Sequence, residues 1–513
     1  MVAPAVPGPA GVELTGMTTR RTLLAAGAAT AVTLAVPAVA SAAAAPAVAL
    51  GADPIAHLLR RAAFGPTPAS LAAAGRLGVE GWLDRQLNPA SIDDRACEAL
   101  VARLPLAGAS IAAVRADQPV HSFEAFRQLG RAAMARAAFS ERQLFESVVH
   151  FWANHLHIAA PSSGGWDSRA DYDVKVLRAH AFGTFADMLK ASMKHPAMLT
   201  YLDNRSSTKS HPNENYAREL MELHTVGLTY SEDDVQNAAR LLTGLTVNNS
   251  GQYVYDPSKH AGGPVKVLEF RNPNTSGETG SMALADYLAR HPDTARRIAE
   301  KLCVRFVADE APPALVTRLA KIYLDNGTAI KPVLRALFTS AEFAASIGAK
   351  TRTPFEDLIA TVRALGLGPE KSGVKALDAL YNTLVDVGNA PFRWGPPNGY
   401  PDVAAAWASP SVFLMRCNFH LNLATGWYPT QLTRPADLLK SLVPTLPGTY
   451  GGLVDALAVR LTGTKLPAAH TAAVLSVAGK LPTSPLTNSD KSLAGHAPFL
   501  IALVLDSPTF QLR

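Results

Sequence analysis

From Pro54 to about Leu242, apolar residues recur at three- and four-residue spacing almost without a break, and this periodicity demands helices packed against helices. Segments 55–63, 68–77 and the long run 122–160 carry it most clearly, with Ser140 ahead of Glu141 in the position of an N-cap. The character changes between Thr246 and Gly280. There Asn248-Asn249-Ser250-Gly251 is a turn, 252–255 and 265–270 have the pattern of short strands, and Gly262-Gly263-Pro264 breaks any helix. Helical patterning resumes at Met282 and continues through 291–308, 314–325 and 331–346. A Pro/Gly-rich connector, 388–401, is followed by 412–425 and four further helix-like segments. The fold class expected is mainly α: a multi-helical body with a small loop and β-hairpin insertion near 246–280. A helical core over 43–430 would carry that insertion, with a C-terminal helical segment, 431–513, packed on it. Leu337-Phe338-Thr339-Ser340-Ala341-Glu342-Phe343 is echoed by Val504-Leu505-Asp506-Ser507-Pro508-Thr509-Phe510, each closing an apolar helix; one short match does not establish a repeat.

The 513 residues are 48% hydrophobic and 18% charged, enough apolar material for a sizeable core and too little charge for a disordered chain. The net charge of +6 comes without a dense Lys/Arg block, so solvated helix faces explain it better than a nucleic-acid footprint. Cys97, Cys303 and Cys417 are too few and too widely spaced for a disulfide framework or a CxxC metal site, and they fit buried small hydrophobes.

At the N-terminus, Thr19-Arg20-Arg21-Thr22-Leu23-Leu24 precedes an apolar run to Val36 and small residues at Ala38-Val39-Ala40-Ser41-Ala42. This is the pattern of a twin-arginine export signal over residues 1–42, with Met17 as an alternative start. The apolar run is short for a membrane span, and no later stretch is long and apolar enough. The expectation is a mature chain without a membrane span, placed in the cell envelope or outside the cell.

Two segments have the residue types of a chemical site. Pro212 and Gly227 bound a helix in which Glu214, Asn215, Arg218, Glu219 and Glu222 fall within about 140° of arc, while His224 points to the apolar side. Close carboxylates can hold a divalent cation or serve as general acid and base, and Arg218 can neutralise them or grip an anion. The same spacing equally describes an exposed Glu214–Arg218–Glu222 ladder, which the pattern alone favours. In the second segment Glu146, His150, Asn154 and His157 share a strip, and His155 lies among Leu144, Val148, Phe151 and Trp152. Glu146 and His150 have the i,i+4 spacing of two metal ligands, though no HExxH motif is present. His155, if buried, must find a polar partner. Asp203-Asn204 reads as a cap or turn, Arg240 as a buried partner for a carboxylate, and His260 and Lys266 as flanks of a loop able to close over a pocket. Walker A, GxGxxG, GxSxG and CxxCH motifs are absent.

At these residues the chain resembles the bacterial domain-of-unknown-function 1800 family. The resemblance rests on His57 through Thr67, Phe151-Trp152-Ala153-Asn154-His155, Tyr201-Leu202-Asp203-Asn204, Asn213 through Gly227, Asp234 through Gly244, His291 through Asp309, Trp394 through Tyr400, and Ser507-Pro508-Thr509-Phe510. It implies a helical body, frequent export and a partner among other exported proteins encoded nearby. The family pattern includes Asn154, His155, Asp203, Asn204, Glu214, Asn215, Arg218, Glu219, Glu222 and His224, and leaves out His150 and His157. Many relatives have His at the position of Ala153, which weakens a metal site on that helix. The resemblance implies that the 213–224 face is buried against other family residues. Two functions follow as expectations. One is an envelope or extracellular enzyme, metal-assisted with a divalent ion in one version, whose site joins Glu214, Arg218, Glu219 and Glu222 to Asn154 and His155, supported by Asp203, Asn204, Asn215, His224 and Arg240. The other is a non-catalytic cell-surface binding or assembly protein in which these residues are structural.

Overall fold

The computed structural model describes residues 50–513 apart from Ser163 and Ser276, so the export signal expected over 1–42 lies outside the described residues. The architecture is mainly α, as the periodicity requires, with two small two-stranded antiparallel sheets among the described residues. Local chemistry sets many helix starts. Asp53 accepts from the Ile55 N–H ahead of Pro54, and reciprocal capping boxes open the helices Pro68–Gln86, Glu232–Leu242 and Pro354–Ala364.

The run 122–160 is not one helix but two, Glu124–Phe139 and Gln143–His155. The break has a tertiary cause. Asp94 accepts from the Ser140 hydroxyl (2.8 Å) and the Glu141 N–H (2.7 Å), and Ser140 Oγ accepts from Arg142 N–H (3.0 Å), which holds the chain out of helical register. Ser140 thus caps a turn, and the helix begins at Gln143.

The insertion holds two hairpins rather than one: Leu245–Val247 pairs with Tyr253–Tyr255, and Val265–Val267 with Phe270–Asn272. The expected 265–270 strand is split because Leu268 adopts φ 51° and gives its N–H to Asp234 Oδ1 at 2.6 Å. The two echoing segments build the same device. Ser340 and Ser507 each cap a short helix by accepting the N–H of Phe343 or Phe510, and each phenylalanine packs into a different apolar core.

Those cores divide the body. The first joins Leu58, Trp152, Leu189, Leu242, Leu302 and Phe338; the second joins Phe64, Phe355, Leu380, Leu457 and Leu500. The Glu124–Phe139 helix belongs to both, giving Leu129 to the first and Met134 to the second. The helices beyond residue 431 therefore share a core with Pro354–Ala364 and Lys375–Asp386. No helix among the described residues is long and apolar enough to cross a membrane.

Candidate functional site

A cavity of about 440 Å³ opens between two helices and the connector that the sequence marks as Pro/Gly-rich. Gln143–His155 supplies His150, Phe151, Asn154 and His155, and Pro292–Phe306 supplies Arg297, Glu300, Lys301, Val304 and Arg305. The second helix is amphipathic: Ile298, Leu302 and Phe306 bury into the first core. That leaves Arg297, Lys301 and Arg305, spaced four apart and so on one face, toward the cavity. The roof is formed by Asn389 and by Trp394 with residues 398–402.

The roof is fastened through its backbone. The Asn154 amide donates to the Tyr400 carbonyl and accepts the Tyr400 N–H, both at 2.6 Å, as a peptide group in a sheet would. His157 Nε2 donates to the Trp394 carbonyl at 2.7 Å, and Ala160 N–H reaches Phe392 O at 2.8 Å. Gly399, at φ 74°, fits because a Cβ there would collide with the Asn154 carbonyl.

The three cations differ in how they are balanced. Arg305 is neutralised: its Nη1 lies 2.5 Å from Glu356 and 3.3 Å from Asp402, and Arg513 contacts both carboxylates. Burial works against ionising Glu356, but Arg305 and Arg513 hold it below the usual carboxylate range. Lys301 and Arg297 have no carboxylate within ion-pair distance among the described residues. The Lys301 ammonium, deprived of water and repelled by Arg297, is pushed down to about 7. Its hydrogen bond goes to His155 Nδ1 at 3.1 Å. His155 Nε2 faces the His224 carbonyl at 3.1 Å, and a carbonyl can only accept, so the proton sits on Nε2 and Nδ1 offers its lone pair to Lys301. Burial first and Lys301 second hold His155 well below the usual imidazole value, in its neutral form. Burial likewise pushes His150 down to about 4 and His224 down to about 3. His224 Nε2 is buried without a hydrogen-bond partner.

The residues expected to converge do so only in part. Asn154 and His155 line the cavity, and the backbone of His224 touches it through His155. The helix predicted between Pro212 and Gly227 is present, as an α-helix Glu214–Glu219 continued by a π-turn Leu220–His224. Its polar face, expected to be buried, is not. Glu214 and Asn215 are exposed, and Arg218, Glu219 and Glu222 are half-buried. Arg218 pairs with Glu232 at 2.7 Å and Glu222 accepts from the Tyr230 hydroxyl at 2.6 Å, both near the surface, so these groups can stay solvated and need no interior partner. Glu219 is raised by partial burial and by Glu222.

Asp203 is an exposed turn residue at φ 59°, and Asn204 is buried, donating to the Leu242 and Leu245 carbonyls. Arg240 partners no carboxylate among the described residues: the folded-back Gly262-Gly263 turn puts its carbonyls there, with Gly262 O at 2.9 Å. His260 bonds Thr243 and Asn274, and Lys266 pairs with Glu269. On the second helix, Glu146 is taken by a bidentate pair with Arg178 and His150 stacks on Phe355 at 4.8 Å, so the two cannot grip one ion. Among the described residues no three His, Cys, Asp or Glu side chains are arranged to hold a metal, and the cavity's surplus of positive charge does not suit a cation.

Sequence reasoning missed Arg297, Lys301, Arg305, Asp402 and the roof. The four-residue spacing of the three cations was visible. It was indistinguishable from a solvated helix face until the connector was seen to cover it.

A family model described as "Protein of unknown function (DUF1800)" matches residues 57–512. None of the curated proteins matches the chain, and none of the solved structures does.

Proposed function

This chain belongs to the DUF1800 family of proteins of unknown function, and we propose that it is an exported enzyme acting on small organic anions in the cavity beneath the 389–402 connector. The observation that carries the reading is Lys301: a half-buried amine in a cavity wall, bonded to a neutral imidazole and without an ion-paired carboxylate among the described residues. A protein does not leave a buried cation uncompensated without cost, and an anionic ligand supplies the compensation. Arg297 and Lys301 attract the ligand; Phe151, Trp394 and Tyr400 give it apolar walls. An amine that titrates near neutrality serves as a general base or nucleophile at working pH, and His155 orients it.

The test compares thermal midpoints in mono- and dicarboxylates, phosphate and chloride at equal ionic strength. Organic anions raise the midpoint of the native protein above its value in chloride. Lys301→Met abolishes that rise while making the ligand-free protein more stable, by on the order of 1–3 kcal/mol, because a depressed ammonium is removed. If organic anions stabilise no more than chloride does, the reading fails.

The export part rests on Arg20 and Arg21 ahead of the apolar run. Replacing both by lysine leaves the protein in the cytoplasm of its host, as followed by cell fractionation; unchanged export would remove the twin-arginine route. A non-catalytic assembly role, with another exported protein as partner, draws on one observation: Glu214 and Asn215 face water and are free to meet a second protein.

A further inference from the structure

We infer that the cavity takes small carbonyl compounds bearing a carboxylate, such as 2-oxo acids and their aldehyde analogues, and that Lys301 joins them as an imine. This rests on the reading that the cavity receives organic anions, and adds what they must carry and what is done to them.

Two lysines, Lys350 buried and Lys301 half-buried, set the contrast. Lys350 is ringed by acceptors: Asp309 Oδ1 at 2.6 Å, the Asp402 carbonyl at 2.6 Å and Asp402 Oδ1 at 3.3 Å. Lys301 lines the same cavity as Asp402 and Glu300, yet Asp402 serves Arg305, Arg513 and Lys350, and among the described residues Glu300 forms no ion pair with Lys301. Its single hydrogen bond runs to His155 Nδ1, an acceptor that carries no charge. An amine so placed keeps a lone pair for chemistry, whereas one beside a carboxylate holds its proton.

The second element is Arg297, one helical turn before Lys301 on the same face. Its Nε is buried without a partner, and its guanidinium passes over Gly227, where a Cβ would stand 3.2 Å from Nη1. Glu222 and Glu300 favour its charge without forming an ion pair, so the open Nε suits a carboxylate, and its distance of one turn from the amine suits a short molecule carrying both groups. Tyr400 OH is spent on the Ala390 carbonyl, leaving His155 as the group in contact with the amine that can move a proton.

The step balances as follows. The Lys301 lone pair adds to the carbonyl carbon, and the C=O π pair moves to oxygen. His155 Nδ1 takes a proton from the new C–N ammonium and returns it to that oxygen, giving a neutral carbinolamine. With one further proton from solvent the hydroxyl leaves as water, and the nitrogen lone pair closes the protonated C=N bond. No oxidant or reductant enters.

The experiment incubates the full chain at pH 7 with glyoxylate or pyruvate and sodium cyanoborohydride, followed by peptide mass mapping. A stable reduced adduct is expected at Lys301. It forms at least about tenfold faster there than at exposed lysines, of which only about one in a thousand is uncharged at this pH. Lys301→Arg, which keeps the charge, loses the adduct. Label spread evenly over exposed lysines, or an adduct unchanged in Lys301→Arg, overturns the inference. Thermal midpoints in glyoxylate and in acetate separate the two levels. If both anions stabilise and no adduct forms, the imine is refuted and the anion site stands; if neither stabilises, both fall.

Discussion

The Glu146 carboxylate receives two hydrogen bonds from Arg178, at 2.7 and 2.8 Å, with side chains only 6% and 19% exposed. This pair explains why a glutamate placed one turn before a histidine holds no metal here: its oxygens are already engaged. Glu146→Gln leaves the half-buried Arg178 cation with only the more distant Asp173 to balance it, and lowers unfolding free energy in urea by about 3 kcal/mol. A loss within about 0.5 kcal/mol, the range of surface substitutions, would show that water replaces the carboxylate. At this scale the sequence was legible where burial itself poses a demand. His155 stood among apolar neighbours, so a polar partner had to exist, and the His224 carbonyl and Lys301 provide it. Lys301 was not legible, because a lysine in a polar stripe carries no mark of what lies above it.

Helices were legible wherever their ends were written locally. Pro54, Pro68, Pro292 and Pro410 all stand at first-turn positions, and the boundaries that depend on them agree with the pattern to within two residues. What distant residues contribute was not legible: Ser140 was read as a cap but not the Asp94 that holds it, and Asp234 folding the chain at Leu268 is tertiary. The same limit hid the connector, whose role depends on Asn154 and His157, more than 230 positions away. Gly399 tests how tightly that element is seated. Alanine there faces both a left-handed backbone and the Asn154 carbonyl, so Gly399→Ala costs about 2 kcal/mol or more and weakens anion-dependent stabilisation. Full retention of both, read from denaturation midpoints with and without ligand, would mean the connector is loosely held.

The whole molecule carries a pH signature. Burial pushes His57, His150 and His157 down to about 4 and His224 down to about 3, and holds His155 lower than usual. The unfolded chain, with imidazoles near 6.5, binds protons that the folded chain refuses. The histidine contribution to stability is thus full above about 6.5 and falls as pH drops toward 4, by up to about 3 kcal/mol for each histidine brought to that limit. His420 runs the other way. Burial opposes its charge, but Asp357 and Asp506 raise it, so its contribution is present below 6.5 and fades as pH rises through the folded value. Burial lowers His195 as well, so six depressed histidines outweigh one raised, and the urea midpoint falls between pH 6.5 and 5; a flat profile there would contradict the neutral histidines. The division into two large cores, with a small third cluster around Leu100 and Leu104, was not legible either, since the Glu124–Phe139 helix contributes to all three and its periodicity names no partner.

Where Asn154 and His157 hold the connector, they grip its peptide groups, not the side chains it displays. A clasp of that kind is blind to the letters it closes on. Trp394 and Asn398 can therefore be replaced without breaking the bonds that Asn154 and His157 make, so substitutions there alter the roof of the cavity above an unchanged pair of helices.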